Sequence, residues 1–298
     1  MVRPEVLDYY RRGGERDRLT TGAGKLEFLR TWDVLTRELP PAPTTLLDVG
    51  GATGGYAAPL AERGYRVQVV DPVPEHVAEA AARPGVSAVV GDARALPVND
   101  GAADAVLLLG PLYHLTDRSE RVRAWQEAAR ATRDGGVVVA ATISRYASLF
   151  DGFARGYMRD PRFPLMVEQA LATGEHHNPH REEGWFTTAY FHRPYEAAEE
   201  AEAAGLRVER VLPVETPLWI AAGLDELLAD EALTELLLTM LRRVEDEPGL
   251  LAASSHLLTI ARHGPVTAAR ARRRGRRPAS GSPARPGAGV PRTGSATP

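Results

Sequence analysis

Three carboxylates stand where apolar runs end in the first third of the chain. Asp48 closes "TLLD" and is followed by "VGGATGG"; Asp71 closes "RVQVVD" and precedes Pro72; Asp92 follows "SAVVG" and precedes Ala93. A glycine-rich turn between a strand and a helix lets backbone approach a ligand closely, and the helix N-terminus behind it favours polar or anionic groups. An acid closing the next strand can accept from both hydroxyls of a ribose. This is the layout of a nucleotide-cofactor site.

The residue types at that turn discriminate between cofactors. A dinucleotide fingerprint G-x-G-x-x-G would align as Gly50-x-Ala52-x-x-Gly55, with Ala at the central glycine, a weak match. Asp48 immediately before the glycines would repel a pyrophosphate, whereas it can accept from the α-ammonium of an amino acid group. Asp92 is placed for an adenine amino group. Lys25 is the only lysine and lies outside any Tyr-x-x-x-Lys spacing, which removes the usual catalytic pair of short-chain NAD(P) reductases. The pattern favours S-adenosylmethionine (SAM) over NAD(P).

The elements that must position these groups follow from the hydropathy pattern. Residues 1–44 read as helical, with Leu26, Leu29, Trp32, Val34, Leu35 and Leu39 near a 3.6-residue period. Apolar runs at 45–49, 66–71, 86–91, 103–110 and 135–143 alternate with helix-like segments at about 55–63, 74–82 and 119–132. Continuous rather than alternating runs predict strands covered on both faces, hence an α/β, doubly wound, largely parallel sheet. The rhythm breaks over 144–193, a polar, aromatic and histidine-rich stretch that reads as a lid or substrate-pocket insertion. It resumes over 194–263 with a helix closed by Gly205, a strand in "LRVERVLPV", a helical stretch at 224–246 and a strand in "SSHLLTIARH".

Taken together, the motifs resemble the class I SAM-dependent methyltransferases of the small-molecule type. Leu47 to Gly54 follows that family's D-x-G-x-G-x-G, except that Ala52 replaces the middle glycine; "VVDP", "GDARALP", "ADAVLLLGPLYHL" and "EAARATRDGGVVVAAT" match its later elements. The likeness is strong over about 40–143 and looser over 194–263. It implies a seven-stranded sheet with an antiparallel last strand, the final two strands forming a hairpin. It also implies a SAM-binding core at 45–143 completed by 194–263, with 1–44 as an N-terminal helical cap and 144–193 as the lid. The cofactor positions it implies are Asp48, Gly50, Gly51, Ala52 and Gly54, Asp71 and Pro72, Asp92 and Ala93, and Leu109 and Gly110. "DYYRRGGERDRL" resembles the segment that folds over the cofactor in many members, which adds Tyr10 and Arg18, Arg18 as a candidate partner for the SAM carboxylate; the equal alternative is that Tyr9 and Tyr10 pack this helix on the sheet.

Methyl transfer from a sulfonium is an in-line displacement that requires alignment and exclusion of water. A base within hydrogen-bond reach helps a protonated or weakly nucleophilic acceptor. Tyr113 and His114 follow the fourth strand, at the ligand edge of an open α/β sheet. Tyr190 and His192 are two apart, so they share one face of an extended segment with Phe191 on the other. These four are the catalytic candidates; Tyr190 and His192 read equally as the polar outer face of an ordinary strand, and the alternative for His114 is a buried, hydrogen-bonded core histidine. "EHHNPHREE" offers His176, His177, His180, Glu182 and Glu183, but Pro179 breaks any helix that would align them. No metal is assigned there, and His177 or Asn178 is read instead as a pocket contact. The aromatic residues of 144–193 suit a planar acceptor, an aromatic natural product or metabolite methylated on O, N or C, or equally the core of a small helical cap.

Composition sets the remaining bounds. Cysteine is absent, which excludes disulfides, thiolate metal sites and cysteine nucleophiles. No apolar run reaches the length of a membrane span, and the charged start lacks a signal-peptide h-region, so a cytoplasmic location and no membrane partner are expected. Of the formal net charge of −3, the eight arginines from Gly264 onward contribute +8 and the rest of the chain −11. The tail 264–298, rich in Gly, Pro, Ser and Arg, reads as disordered. An acidic body argues against a nucleic-acid acceptor. An RNA methyltransferase with the tail as an electrostatic arm, a non-catalytic SAM-binding protein and an NAD(P) reductase remain as alternatives.

Overall fold

The computed structural model describes residues 3–11 and 18–264. The tail call, apart from Gly264, lies outside the described residues, as does the middle of "DYYRRGGERDRL".

The five continuous apolar runs form strands where their pattern places them: β1 Thr45–Val49, β2 Arg66–Asp71, β3 Val86–Val90, β4 Ala103–Leu108 and β5 Thr132–Ile143. Two short strands follow, β6 Glu175–His176 and β7 Ala189–Tyr190, then β8 Arg207–Pro213 and β9 His256–Arg262. Seven of them make one sheet in the order β3-β2-β1-β4-β5-β9-β8, and β6 and β7 pair separately. The pairings from β3 through β5 are parallel; β9 runs antiparallel to both its neighbours. The sheet is thus α/β and doubly wound, with the antiparallel last strand that the sequence predicts.

Helices cover both faces. α1 is Pro4–Arg11, α2 Gly22–Glu38, α3 Ala57–Glu62, α4 Pro74–Ala81, α5 Arg118–Ala131, α6 Ala147–Ala154, α7 Arg162–Thr173, α8 Glu196–Ala203, α9 Leu224–Ala229 and α10 Glu231–Val244. Successive strand residues point to opposite faces, and the core divides accordingly. Leu47, Val49, Val106 and Val138 pack with Trp125 and Ala128 of α5 and Ala201 of α8. Leu46, Val67, Leu107 and Val139 pack with Val34 and Leu35 of α2 and Leu60 of α3. No described helix is long and apolar enough to cross a membrane.

Two expectations change. The last two strands pair antiparallel without forming a tight hairpin, because residues 214–255 with α9 and α10 lie between them. The single helical stretch expected at 224–246 is two helices. The chain leaves the helical region at Asp230 (φ −91°, ψ 113°), whose carboxylate accepts the Leu233 N–H at 3.0 Å as the cap of α10.

The excursion between β5 and α8 returns to its starting point. His192 N–H donates to the Ile143 carbonyl and Arg145 N–H to the His192 carbonyl, both at 2.7 Å. Phe163, Met166, Val167 and Trp185 form its own small core.

The buried face of α2 carries charge as well as apolar side chains. Arg30 and Asp33 are buried and ion-paired, and Arg30 Nη2 donates to Glu245 Oε2 at 2.6 Å just beyond α10. Arg37 (2.8 Å) and Arg210 (2.6 Å) also donate to Glu245, and Arg242 to Asp33 (2.8 Å). Burial alone would raise the Glu245 pKa, but Arg37, Arg210 and Arg30 hold it at about 2. Removing one partner of a buried pair strands the other charge, so Glu245→Ala should cost about 3–5 kcal/mol in denaturant unfolding. Since the folded pKa lies below the unfolded one, this contribution is present above about pH 4.3 and is lost as pH falls toward 2. A Glu245→Ala chain as stable as wild type at pH 7 would show that the network contributes nothing.

Candidate functional site

The parallel register brings the strand ends into line. Val49 faces Val70 across β1 and β2, and Asp71 faces Val90 across β2 and β3. Gly50 N–H donates to the Val70 carbonyl (2.7 Å) and Gly91 N–H to the Asp71 carbonyl (3.1 Å). Beyond this edge lies a cavity of about 430 Å³. From the first loop it is lined by Asp48, Gly50, Gly51 and Ala52, and from the second and third by Asp71, Pro72, Asp92 and Ala93. Leu109, Gly110, Tyr113 and His114 follow β4 into the wall, and Tyr10 and Arg18 close it from the N-terminal segment. Gly54 stands behind the wall, where a Cβ would meet Ala80 and Ala57 at 3.6 and 3.7 Å.

The loop geometry explains the glycines and the exception. Gly50 (φ +71°) and Gly54 (φ +85°) occupy left-handed backbone, and so does Ala52 (φ +46°), at a cost of about 1–2 kcal/mol for a residue with a Cβ. Asp71 compensates by accepting the Ala52 N–H at 3.0 Å, while its other oxygen accepts from Val73 N–H at 2.9 Å. At Gly51 a Cβ would fall 2.5 Å from Asp48 Oδ2, so the missing side chain makes room for that carboxylate.

Asp48 is buried, and neither of its oxygens has a hydrogen-bond donor among the described residues. Burial, with a smaller contribution from Asp71, pushes its pKa up to about 7. An acid held this way lacks a cation, and the α-ammonium of SAM is a cation of the right kind to complete it. Asp71 also meets His76 Nδ1 through Oδ1 (3.3 Å), and its Oδ2 accepts from Ala52 N–H. Asp92 is less free than the sequence suggests, because Arg94 grips both its oxygens (Nε at 2.9 Å, Nη2 at 2.5 Å) and lowers its pKa. Phe28 and Tyr56, stacked at 5.0 Å, add an aromatic wall that no motif marked. Arg18 reaches the cavity, and its guanidinium is forked onto Glu27 of α2 (Nη2 to Oε1, 3.0 Å), so the candidate partner for the SAM carboxylate already engages an acid.

A second chamber of about 320 Å³ shares Arg18, Glu27 and Tyr113 with the first. Its walls come from 144–193, including Phe163, His176, Trp185, Phe186 and Phe191, and from Glu215, Trp219 and His256 near β8 and β9. Tyr113 stands where the two cavities meet.

The four catalytic candidates separate. Tyr113 and His114 are at the cavity. His114 is buried, its Nε2 lies 2.6 Å from the Tyr10 hydroxyl, and burial lowers its pKa to about 4, so its ring is neutral at pH 7. Tyr190 and His192 line neither cavity. They do share a face, but that face turns toward α5 and α8. Arg121 lies 3.6 Å over the Tyr190 ring, and His192 Nε2 is 3.5 Å from buried Glu200. The other face of this strand, Phe191, enters the chamber. Alternation was legible in "YFH"; the side turned from the cleft meets the buried Arg121–Glu200 pair (2.7 Å), Arg121 over the Tyr190 ring and Glu200 beside His192.

The histidine cluster separates too. His176 lines the chamber, stacked on Phe191 and bonded to Ser148 Oγ (3.1 Å). His177 pairs instead with Glu175 (3.2 Å), and Asn178 ties its own loop to the Glu182 and Trp185 carbonyls; neither lines a cavity. Among the described residues, the one grouping with metal-ligand spacing is Glu27, Glu215 and His256, far from 176–183 in sequence and already engaging Arg18.

Asp48 sets a pH signature. Its folded pKa of about 7 lies above the unfolded value of about 3.9, so its contribution to stability is complete below pH 4 and declines as pH rises through 7. The ligand-free protein should lose on the order of 3 kcal/mol between pH 4 and 8 from this group, and Asp48→Asn should abolish that part of the slope. Urea midpoints of both proteins across that range test it; parallel curves would mean that Asp48 is ionised and solvated.

Comparison with known proteins agrees with this geometry. Residues 47–140 match the methyltransferase domain family. An uncharacterised methyltransferase of Mycobacterium tuberculosis (strain ATCC 25618 / H37Rv) is 40% identical over 99 residues, covering 33% of this chain and 39% of that one. A ubiquinone biosynthesis O-methyltransferase of Methylobacterium sp. (strain 4-46) is 34% identical over 111 residues, 36% of this chain and 43% of that one. The matches span less than half the length of these relatives. In fold, the chain is similar to the putative methyltransferase solved in complex with the Trm112 methyltransferase activator of Haloferax volcanii, with a TM-score of 0.56, 19% identity and coverage of 90% of this chain and 99% of that one. With the sheet order, the glycine turn and the unpartnered Asp48 carboxylate, these findings place a class I SAM-dependent methyltransferase domain in this chain.

Proposed function

We propose that the chain transfers the methyl group of SAM to a small molecule held in the second chamber. The observation that carries this reading is a pair of adjoining cavities with Arg18, Glu27 and Tyr113 in both their walls: one presents an unpartnered buried carboxylate, and the other is walled by aromatic side chains. In this reading 45–143 with 194–263 binds the cofactor, 1–44 caps it, and 144–193 is the lid over the acceptor. SAM supplies an electrophilic methyl group. Asp48 receives its ammonium, Asp71 its ribose hydroxyls, and Asp92 with Ala93 borders its adenine, while Gly50, Gly51, Ala52, Pro72, Leu109 and Gly110 present backbone and small surfaces. Tyr10 and His114 cover the site, and Tyr113 orients the acceptor. His114, neutral and bonded to Tyr10, is suited to positioning rather than to taking a proton. Phe186, Phe191, Trp185 and Trp219 suit a planar acceptor. The partial match to a ubiquinone biosynthesis O-methyltransferase supports an oxygen acceptor.

Calorimetry with S-adenosylhomocysteine and with NADH tests the cofactor half. S-adenosylhomocysteine should bind and NADH should not. Asp71→Ala should weaken binding by about 1.5–3 kcal/mol, roughly 10- to 150-fold. Unchanged affinity in Asp71→Ala would assign the ribose to another acid. A radiolabelled-methyl screen over phenols, amines, indoles and carboxylic acids tests the rest; binding with no transfer to any of them would favour a non-catalytic SAM-binding protein.

A further inference from the structure

A hydroxyl acceptor must lose a proton, and the histidines singled out in the sequence do not supply a base in the chamber. His114 lines the first cavity and not the chamber, and its Nε2 meets the Tyr10 hydroxyl. His176 uses Nδ1 on Ser148 and Nε2 on the Phe186 carbonyl. His192 lies outside both cavities. The remaining chamber histidine is His256, which opens β9 and which no motif marked.

Its setting is built. Nδ1 lies 2.5 Å from Glu215 Oε1, and Glu215 is itself buried and fixed, Oε2 accepting from Ser254 Oγ (2.9 Å) and from the His256 backbone N–H (3.0 Å). Glu27 Oε2 stands 3.6 Å from the same Nδ1 and is held by Arg18. Both carboxylates therefore meet the ring at Nδ1, which leaves Nε2 to address the chamber.

We propose that Glu215 and His256 form the proton-accepting dyad of this chamber: Glu215 holds Nδ1–H, and Nε2 takes the proton of an aromatic hydroxyl acceptor. The proposal rests on the methyl-transfer reading above. In the step, the hydroxyl oxygen forms the new O–CH3 bond as the sulfonium C–S bond breaks and its electron pair stays on sulfur. The hydroxyl proton passes to Nε2, and the imidazolium returns it to solvent. A phenol with an ordinary pKa near 10 is protonated at neutral pH, so a positioned base has work to do. The three-residue grouping also has metal-ligand spacing. However, Glu27 is ion-paired with Arg18, and in the dyad Glu215 accepts the Nδ1–H, so a cation would have to displace both contacts.

The electrostatics set the pH dependence. Burial favours the neutral His256 ring, but Glu27 and Glu215 outweigh it, against a smaller opposing effect of Arg18, and the pKa is raised. Asp151, Arg155, His176, Tyr9 and Tyr113 are the other titratable groups on the chamber wall. Only the neutral ring accepts a proton, so the rate should rise with pH through a limb above 6.5.

The test uses the full chain, wild type, His256→Gln, His256→Asn and Glu215→Gln, with S-adenosylhomocysteine affinity as the check on folding. Transfer from radiolabelled SAM to a panel of phenols, catechols and hydroxyquinolines is followed between pH 5.5 and 9.5, the window that brackets the ordinary histidine value of about 6.5. At least one hydroxyl acceptor should be methylated. Both His256 variants should lose about 10²–10⁴ in kcat with S-adenosylhomocysteine affinity intact. Glu215→Gln should move the rising limb to lower pH. Imidazole NMR on wild type should show a neutral ring protonated at Nδ1. The proposal is overturned by wild-type kcat and pH limb in the His256 variants, by an Nε2-protonated ring, or by S-adenosylhomocysteine binding without transfer to any hydroxyl. Stoichiometric Mn2+ or Zn2+ binding that is lost in His256→Gln and required for transfer would overturn it in favour of a metal site. Absence of S-adenosylhomocysteine binding in wild type would instead remove the methyl-transfer reading itself.

Discussion

The site depends on one constraint, the parallel pairing of β1 with β2 on one side and β4 on the other. Parallel strands end on the same edge, so loops far apart in sequence are delivered to one place. Asp48, Asp71, Asp92 and Gly110 meet there because β1 is central and the strand order departs in both directions from it, which opens a crevice beyond the strand ends. Antiparallel pairing of any of these strands would carry its acid to the opposite edge.

The crevice is useful only if its cover is held. The N-terminal helix α2 carries Phe28, Thr31 and Glu27 to the cavity on one part of its surface and buries Arg30 and Asp33 on another. The ionic cluster around Glu245 fixes that helix against the end of α10, and Arg121, Glu200 and His192 do the same between α5 and α8 on the other side of the sheet. Buried pairs of this kind add little net stability beyond that of a packed apolar core, but they tolerate few alternative geometries. Here they determine which way α2 and the returning strand of 144–193 face. They also account for the loss of Tyr190 and His192 from the site: these two side chains serve the second cluster.

The two cavities differ in how they handle charge. In the first, Asp48 is left without a donor, and its raised pKa measures what is missing. In the second, the charged groups near Tyr113 have partners, Arg18 on Glu27 and Glu215 on the His256 ring. An unmatched acid suits a cationic ligand, while a matched and aromatic chamber suits a neutral one. The proposed division of labour between cofactor and acceptor rests on that difference.

The order of strands and helices and the cofactor loop were legible in the sequence because both are local. Apolar runs of strand length, the glycines between Asp48 and Gly54 and the acids that close each run are read within a few residues, and the parallel sheet then aligns them. Alternation along "YFH" was legible for the same reason. What a local pattern lacks is direction and company. Whether Tyr190 or Phe191 faced the cleft was decided by Arg121 and Glu200, on α5 and α8. That Arg18 would spend its charge on Glu27, and Asp92 accept from Arg94, depended on how a helix docks and a turn closes. Glu27, Glu215 and His256 lie in three unrelated segments with no shared spacing, and only the packing of α2 against the β8–β9 end of the sheet brings their ligand atoms within 4.8 Å of one another.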